Sequence, residues 1–384
     1  MNAARPTYRA SAAREAYHVS MMTRRLFFVA SAAFTESAYA QRAAVSYKLP
    51  PDTVYLNANE FPEGIPQVSL DAMQQVMASA NRYHYQEFGQ IYSRIAASED
   101  LKTDQVLVGA GSSEPIHAAV EAFTGADRPL ITPDPSYELP AELARAMGRK
   151  VVRVPLGDSY RADVHRLAES AKQAGGGLIY LCNPNNPTAA IVPKNEVSWL
   201  ISNLPENAVL LVDEAYYHFA ETPEYGTALD AVRAGKNVIV ARTFSKIYGM
   251  AGLRVGFIAG RADLVEKMAP FRNNVISIVS ARAVTAALDH ANTIVPPRRA
   301  RIAKTRSELC SWLKSSGTPF IQPHANFMMI DVSPRDCRYY IPRLAEKGVA
   351  VGRPFPPLEK MLRVSIGTDA EMAKFKDVFR SLRA

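Results

Sequence analysis

Val238-Ile239-Val240-Ala241-Arg242-Thr243-Phe244-Ser245-Lys246 opens as a β-branched apolar run and ends abruptly in hydroxyl-bearing sequence with one lysine. An apolar run of that length, closed by polar residues, reads as a strand buried on both faces. Working outward, Val106–Val108, Pro129–Thr132, Val151–Leu156, Leu178–Cys182, Val209–Val212 and Val255–Ala259 have the same character. Periodic polar stretches of helical length separate many of them, among them Glu114–Phe123, Ala141–Met147 and Val164–Gln173. Such alternation predicts an α/β fold with a mostly parallel central sheet covered by helices. Gly175-Gly176-Gly177 reads as a helix-to-strand turn. Beyond about residue 265 long helical stretches lead into strand-like Phe327–Val332, Val349–Gly352 and Leu362–Ile366, the pattern of a smaller α+β C-terminal domain.

The chain has 384 residues, a net charge of +8 and 48% hydrophobic residues, the composition of a globular protein. Cys182, Cys310 and Cys337 are widely spaced and odd in number, which argues against a disulfide framework or a cysteine zinc site. No apolar run reaches the roughly 18 residues that span a bilayer.

Residues 1–40 differ in kind. Arg24-Arg25, the mostly apolar Leu26 to Phe34 and Ala38-Tyr39-Ala40 follow the layout of a secretory signal, and the paired arginines resemble a twin-arginine export signal. The segment predicts a periplasmic or exported protein cleaved after Ala40. Alternatives are a true start at Met21 or Met22, or an N-terminal arm on a cytoplasmic protein. Five arginines against Glu15 and Glu36 place +3 of the charge there. The expected divisions are 1–40 signal, 41–70 N-terminal arm, 71–265 large domain and 266–384 small domain. Arg298, Arg299 and Arg301 read as a solvated helix face rather than a nucleic-acid surface.

In open α/β sheets ligands gather beyond the carboxyl ends of strands. The residues there are Gly109-Ala110-Gly111-Ser112-Ser113, Asp134-Pro135-Ser136-Tyr137, Asn183 to Pro187, Asp213-Glu214-Ala215-Tyr216 and Arg242 to Lys246. They supply an anion-binding turn, an aromatic plate, an amide, a carboxylate with a phenol, and a lysine. Gly109-Ala110-Gly111 does not continue as a dinucleotide fingerprint. Ser112 reads as the cap of a helix starting near Glu114-Pro115, where free N–H groups favour an anion. Alternation in Leu362-Arg363-Val364 displays Arg363 on the face opposite its apolar neighbours.

Thr243-Phe244-Ser245-Lys246 with Gly252-Leu253-Arg254-Val255-Gly256 resembles the lysine region of fold-type I pyridoxal-phosphate aminotransferases. Leu56-Asn57-Ala58-Asn59-Glu60, Asn185-Asn186-Pro187-Thr188 and Leu362-Arg363-Val364 resemble the histidinol-phosphate aminotransferase-like branch, in the family's order from about residue 52 to 384. The resemblance implies pyridoxal 5'-phosphate as cofactor and Lys246 as the residue that bonds its aldehyde. It implies Asp213 at the ring nitrogen, Tyr216 and Asn186 at the phenolic oxygen, and Tyr137 on the ring face. Gly111, Ser112, Ser113, Thr243, Ser245 and Arg254 would hold the phosphate, joined by Tyr83 of a neighbouring subunit in a homodimer with shared sites. Arg363, Arg353 and Asn59 are the implied substrate-binding residues.

Three departures stand out: Ala189 where the family has glycine, His84 where it usually has proline, and no counterpart to the upstream tyrosine segment that reads a substrate phosphate. The reaction expected is ping-pong amino transfer between an L-amino acid, or an amino-alcohol phosphate, and a 2-oxo acid. A decarboxylase or lyase on the same fold is the alternative, and a non-catalytic binding protein lies outside that class. No metal and no nucleic acid is expected.

Overall fold

The computed structural model describes residues 49–157, 159–272 and 275–383, so the expected export signal lies outside the described residues. The central sheet has seven strands: β2 (Val106–Gly109), β3 (Leu130–Asp134), β4 (Val151–Pro155), β5 (Gly177–Cys182), β6 (Ala208–Asp213), β7 (Val238–Thr243) and β8 (Gly256–Gly260). Their order is β2-β8-β7-β6-β5-β3-β4, and only β8 runs antiparallel to its neighbours. All the sheet strands expected from the sequence are present within two residues of their expected ends. The run Gly175 to Gly177 is the turn from helix Val164–Gln173 into β5, as expected.

Alternation splits this sheet between two cores. Ile179, Leu181, Leu210, Val212, Val238 and Val240 join one cluster, while Leu178, Tyr180, Cys182, Leu211, Ile239 and Ala241 join the other. Both faces are covered, which is why these strands read as continuous apolar runs.

Two small sheets lie outside it. β1 (Val54–Leu56) pairs in parallel with β10 (Val349–Val351), and β9 (Phe327–Asp331) pairs antiparallel with β11 (Met361–Ser365). The first pairing ties the segment after residue 50 to the C-terminal third of the chain, a long-range link that local sequence could not signal.

The 25-residue helix Ala291–Ser315 corrects the expectation of a solvated basic face in part: Arg301 is exposed, but its neighbours are claimed by loops. Arg298 donates to the carbonyls of Ile247 and Gly64 at 3.0 and 2.9 Å and lies 4.5 Å from the Phe61 ring centroid. Arg299 donates to Ala220 O, and buried Arg306 donates to Phe219 O and Ala325 O at 2.8 and 3.0 Å. Arg301 pairs with Glu63. The guanidinium fork bonds carbonyls that loops leave unpaired, so charge on this face serves packing. Among the described residues no helix is long and apolar enough to cross a membrane, and no cluster of side chains could hold a metal ion.

Candidate active site

One cavity opens at the carboxyl ends of β5, β6 and β7, about 740 Å³ including its mouth. Ser112, Ser113, Tyr137, Asn186, Asp213, Tyr216, Thr243, Ser245, Lys246 and Arg254 line it, which brings together residues spread over more than 140 positions. Parallel strands all end on the same side, and this convergence follows from the topology.

At its inner end sits Asp213, the last residue of β6 and fully buried. Its Oδ2 accepts from the Tyr180 hydroxyl at 2.8 Å and its Oδ1 from the Ala215 N–H at 3.1 Å. Burial raises its pKa to about 6, against the pull of Tyr180, the Ala215 amide and the Lys246 charge. Lys246 is pushed the other way: burial, with Arg363 and Arg254 adding to it, lowers its pKa to about 8. An amine so depressed is partly neutral, hence nucleophilic, near pH 8. Its Nζ lies 5.5 Å from the Tyr216 ring centroid. The Tyr216 hydroxyl accepts from Asn59 Nδ2 at 3.2 Å, and burial raises its pKa.

The outer end is the head of helix Ser113–Phe123. Ser112 precedes it in right-handed helical backbone and its side chain makes no capping bond, so the expected cap is not formed. Ser112 lines the cavity instead. Arg254 Nη1 reaches Ser245 Oγ at 3.4 Å and Ala251 O at 3.1 Å, and Ser245 Oγ accepts from Thr243 Oγ1 at 2.9 Å. Gly111 has φ of 70°, and a Cβ there would overlap the Arg254 guanidinium. A Cβ at Gly256 would overlap the Ser112 backbone. The turn is therefore closed to side chains, and its amides, hydroxyls and guanidinium face one space. That donor set fits a phosphate, and an acidic residue at the other end fits a pyridine nitrogen.

Arg363 stands opposite Leu362 and Val364, as alternation places it, and it is not an exposed edge charge. It is 8% exposed, because the face of β11 opposite Leu362 and Val364 turns inward. Its Nη1 donates to Asn186 Oδ1 and its Nη2 to Asn57 O, both at 2.7 Å, while its Nε is buried without a partner. Burial lowers its pKa to about 10. Arg353 lies outside the cavity lining, ion-paired with Glu138 and 4.2 Å from the Phe355 ring centroid. Phe355 also carries Arg363, at 4.5 Å.

Asn59 also departs from expectation. It is buried behind Tyr216, its side chain bonded to Tyr216 and to Ser365 Oγ, so it braces the phenol rather than reaching into the cavity. Tyr83 is 72% exposed, stacked on Tyr85 at 5.1 Å, and does not line the cavity of its own chain. The following His84 takes φ of 56° and sets its ring between the Glu87 carboxylate and Ser79 O, at 2.7 and 2.8 Å. The Ser79 carbonyl, with Glu87, raises its pKa. Ala189 has φ of 59°, the left-handed backbone that suits the glycine it replaces.

Sequence reasoning passed over Tyr180, hidden in a strand, and Cys182 and Glu60, which line the cavity. It also passed over a buried network beneath it. Arg242 bonds Glu99 at 2.6 Å and Glu214 at 2.8 Å, with Tyr217 stacked on its guanidinium at 3.6 Å. Arginine and glutamate inside otherwise apolar runs were the available signal, since charge is buried only when paired.

A family model described as aminotransferase class I and II matches residues 51–379. The chain is 31% identical over 336 residues to a histidinol-phosphate aminotransferase of Symbiobacterium thermophilum, covering 86% of this chain and 90% of the relative. It is 32% identical over 325 residues to an aromatic amino acid aminotransferase of Cutibacterium acnes, covering 83% and 90%. The crystal structure of histidinol-phosphate aminotransferase from Sinorhizobium meliloti in complex with pyridoxal-5'-phosphate superposes with a TM-score of 0.79 at 26% identity. It covers 90% of this chain and 94% of that one.

Proposed function

The chain belongs to the class I and II aminotransferases, and from that premise we propose that it takes an L-amino acid donor, works as a homodimer with shared sites, and is exported. It is a pyridoxal-phosphate-dependent transaminase of fold type I acting on amino and keto acids. When bound, the cofactor supplies an aldehyde for the amino group and a ring that draws electrons from the donor α-carbon.

The observation that carries the donor assignment is buried Arg363, fixed by Asn57 O and Asn186 within electrostatic reach of Lys246. Its planar guanidinium suits a carboxylate; Arg363 itself stands behind the cavity lining, bonded to Asn186, which is part of that lining. Lys246 Nζ, partly neutral near pH 8, would take the donor α-proton and deliver it to the former aldehyde carbon, two bonds away across the amino nitrogen. Asp213, ionised above about pH 6, would hold a proton on the ring nitrogen. Tyr216 and Asn186 would bond the phenolic oxygen, Tyr137 would cover the ring face, and Gly111, Ser112, Ser113, Thr243, Ser245 and Arg254 would bind the phosphate.

The test is the visible absorbance of purified protein loaded with pyridoxal phosphate and titrated with L-glutamate, aromatic L-amino acids and histidinol phosphate. The expected result is bleaching of the visible band with one 2-oxo acid, or the corresponding aldehyde, formed per donor. Carbon dioxide release without a keto acid would overturn the reading in favour of a decarboxylase.

The homodimer is supported by the exposed Tyr83–Tyr85 stack and by an apolar hollow lined by Phe88, Tyr92 and Val275. Mixing Lys246→Ala and Tyr83→Ala chains should regenerate one intact site per hybrid dimer; no recovery on mixing would refute shared sites. Export is supported by the arginine pair and apolar stretch of residues 1–40. Sequencing the mature N-terminus tests it, and a chain beginning at Met1 or Met22 would refute cleavage after Ala40.

A further inference from the structure

We propose that Tyr180 is a positioning residue that aims the Asp213 carboxylate into the cavity and keeps it ionised. This rests on Asp213 as the partner of the cofactor ring. On β5, Leu178, Tyr180 and Cys182 face the same core as Val209 and Leu211 of β6. The register sets Tyr180 beside Leu211 and Cys182 beside Asp213, so the Tyr180 phenol reaches its carboxylate diagonally across two strands. The ring is fully buried, and the hydroxyl donates to Asp213 Oδ2 at 2.8 Å.

With the Ala215 N–H on Oδ1, each carboxylate oxygen has one donor from the chain and lone pairs left for the cavity. Packing alone needs no hydroxyl at this position, and a buried one without an acceptor would be costly. Burial and the Asp213 charge hold the phenol well above its ordinary pKa, so it donates rather than ionises. The groups facing Asp213 are Tyr180 and Cys182 from β5, Lys246 from the loop after β7, and Glu214 and Tyr216 beside it. Of the influences that lower its pKa, the Tyr180 bond is the largest.

Tyr180→Phe keeps the ring and deletes the bond. Asp213 has a raised folded pKa, so its stability contribution is full below its unfolded value and falls as pH rises through the folded one. Removing Tyr180's donor extends that fall upward. For the full chain without cofactor, the unfolding midpoint of Tyr180→Phe should drop further below wild type as pH rises from about 5 to 8. In an Asp213→Asn background that pH dependence should vanish. A deficit equal at every pH, or one that persists unchanged in Asp213→Asn, would show that Tyr180 only fills space. In the loaded protein the acid limb of kcat should move up by about one to two pH units with little change in KM. An unmoved acid limb would overturn the proposal even if the transaminase reading stands, and absence of transamination in wild type would not touch the stability result.

Discussion

At the carboxyl end of β6 the Asp213 carboxylate is buried and held by donors at 2.8 and 3.1 Å. At the head of helix Ser113–Phe123, by contrast, Arg254 reaches Ser245 Oγ at 3.4 Å and Ala110 O at 3.5 Å, and Ser112 caps nothing. The two ends of one cavity are thus built to different standards. The carboxylate end is fixed by the chain itself, because a buried charge must be satisfied before it can be used. The anion end gathers hydroxyls and a guanidinium whose five N–H donors exceed the acceptors it meets, so capacity is left for a phosphate. Tuning of reactivity belongs to the first end and retention of cofactor to the second.

Lys246 responds to both ends, and its loss is the most severe test. Lys246→Ala should lower turnover by about a thousandfold or more, since no other amine lines the cavity; steady-state transamination measures it. Turnover that persists would break the assignment of both ends. The same residue gives a pH test on the protein without cofactor. Its folded pKa of about 8 lies below the ordinary lysine value, so unfolded chains hold more protons between the two, and stability rises with pH across that window. Relative to Lys246→Met the rise should amount to about 3 kcal/mol at most, read by denaturant titration at pH 8 and pH 10.

A paired substitution sharpens the contrast. Arg254→Gln should weaken cofactor binding about tenfold to a hundredfold while leaving the saturated kcat within a few-fold. Asp213→Asn should do the reverse, lowering kcat about tenfold to a hundredfold with a smaller loss of affinity. Equilibrium dialysis and saturated kinetics on both variants decide it, and equal effects would erase the distinction. The smallest expected change is at Ala189, beyond either end. Ala189→Gly relieves left-handed backbone worth about 1–2 kcal/mol but deletes a buried methyl and loosens the unfolded chain. Thermal unfolding should find a net change within about 1 kcal/mol, the residual of those opposing terms.

The sequence made the cavity legible because each wall is a strand end, and a strand end is a local event: apolar run, then polar punctuation. Asp213, Lys246 and Asn186 fall at such breaks. The bracing groups do not. Tyr180 sits inside an apolar run and differs from a packing tyrosine only through its diagonal neighbour on β6, which is a register fact. The position of Asn59 in its motif marks it as functional and implies a substrate contact, yet its bond is to Tyr216, 157 residues away. Alternation correctly opposed Arg363 to Leu362 and Val364, but it could not tell that the face so presented is covered. Arg298 and Arg299 depart from expectation for the opposite reason. Charge on a helix signals solvent unless carbonyls elsewhere claim it, and those carbonyls lie in loops distant in sequence.

That last arrangement has a consequence for how the molecule comes apart. One 25-residue rod, Ala291–Ser315, is riveted by Arg298, Arg299 and Arg306 to Gly64, Ala220, Phe219, Ala325 and Ile247. Gly64, Phe219 with Ala220, and Ile247 closely follow Glu60, Tyr216 and Lys246 in the chain, while Ala325 precedes β9; among the described residues no strand pairing joins the first three segments to one another. Opening any one alone strands a guanidinium that the others still hold in place. Amide hydrogens in the three segments should therefore exchange with solvent as a single cooperative unit, at the rate set by release of the rod.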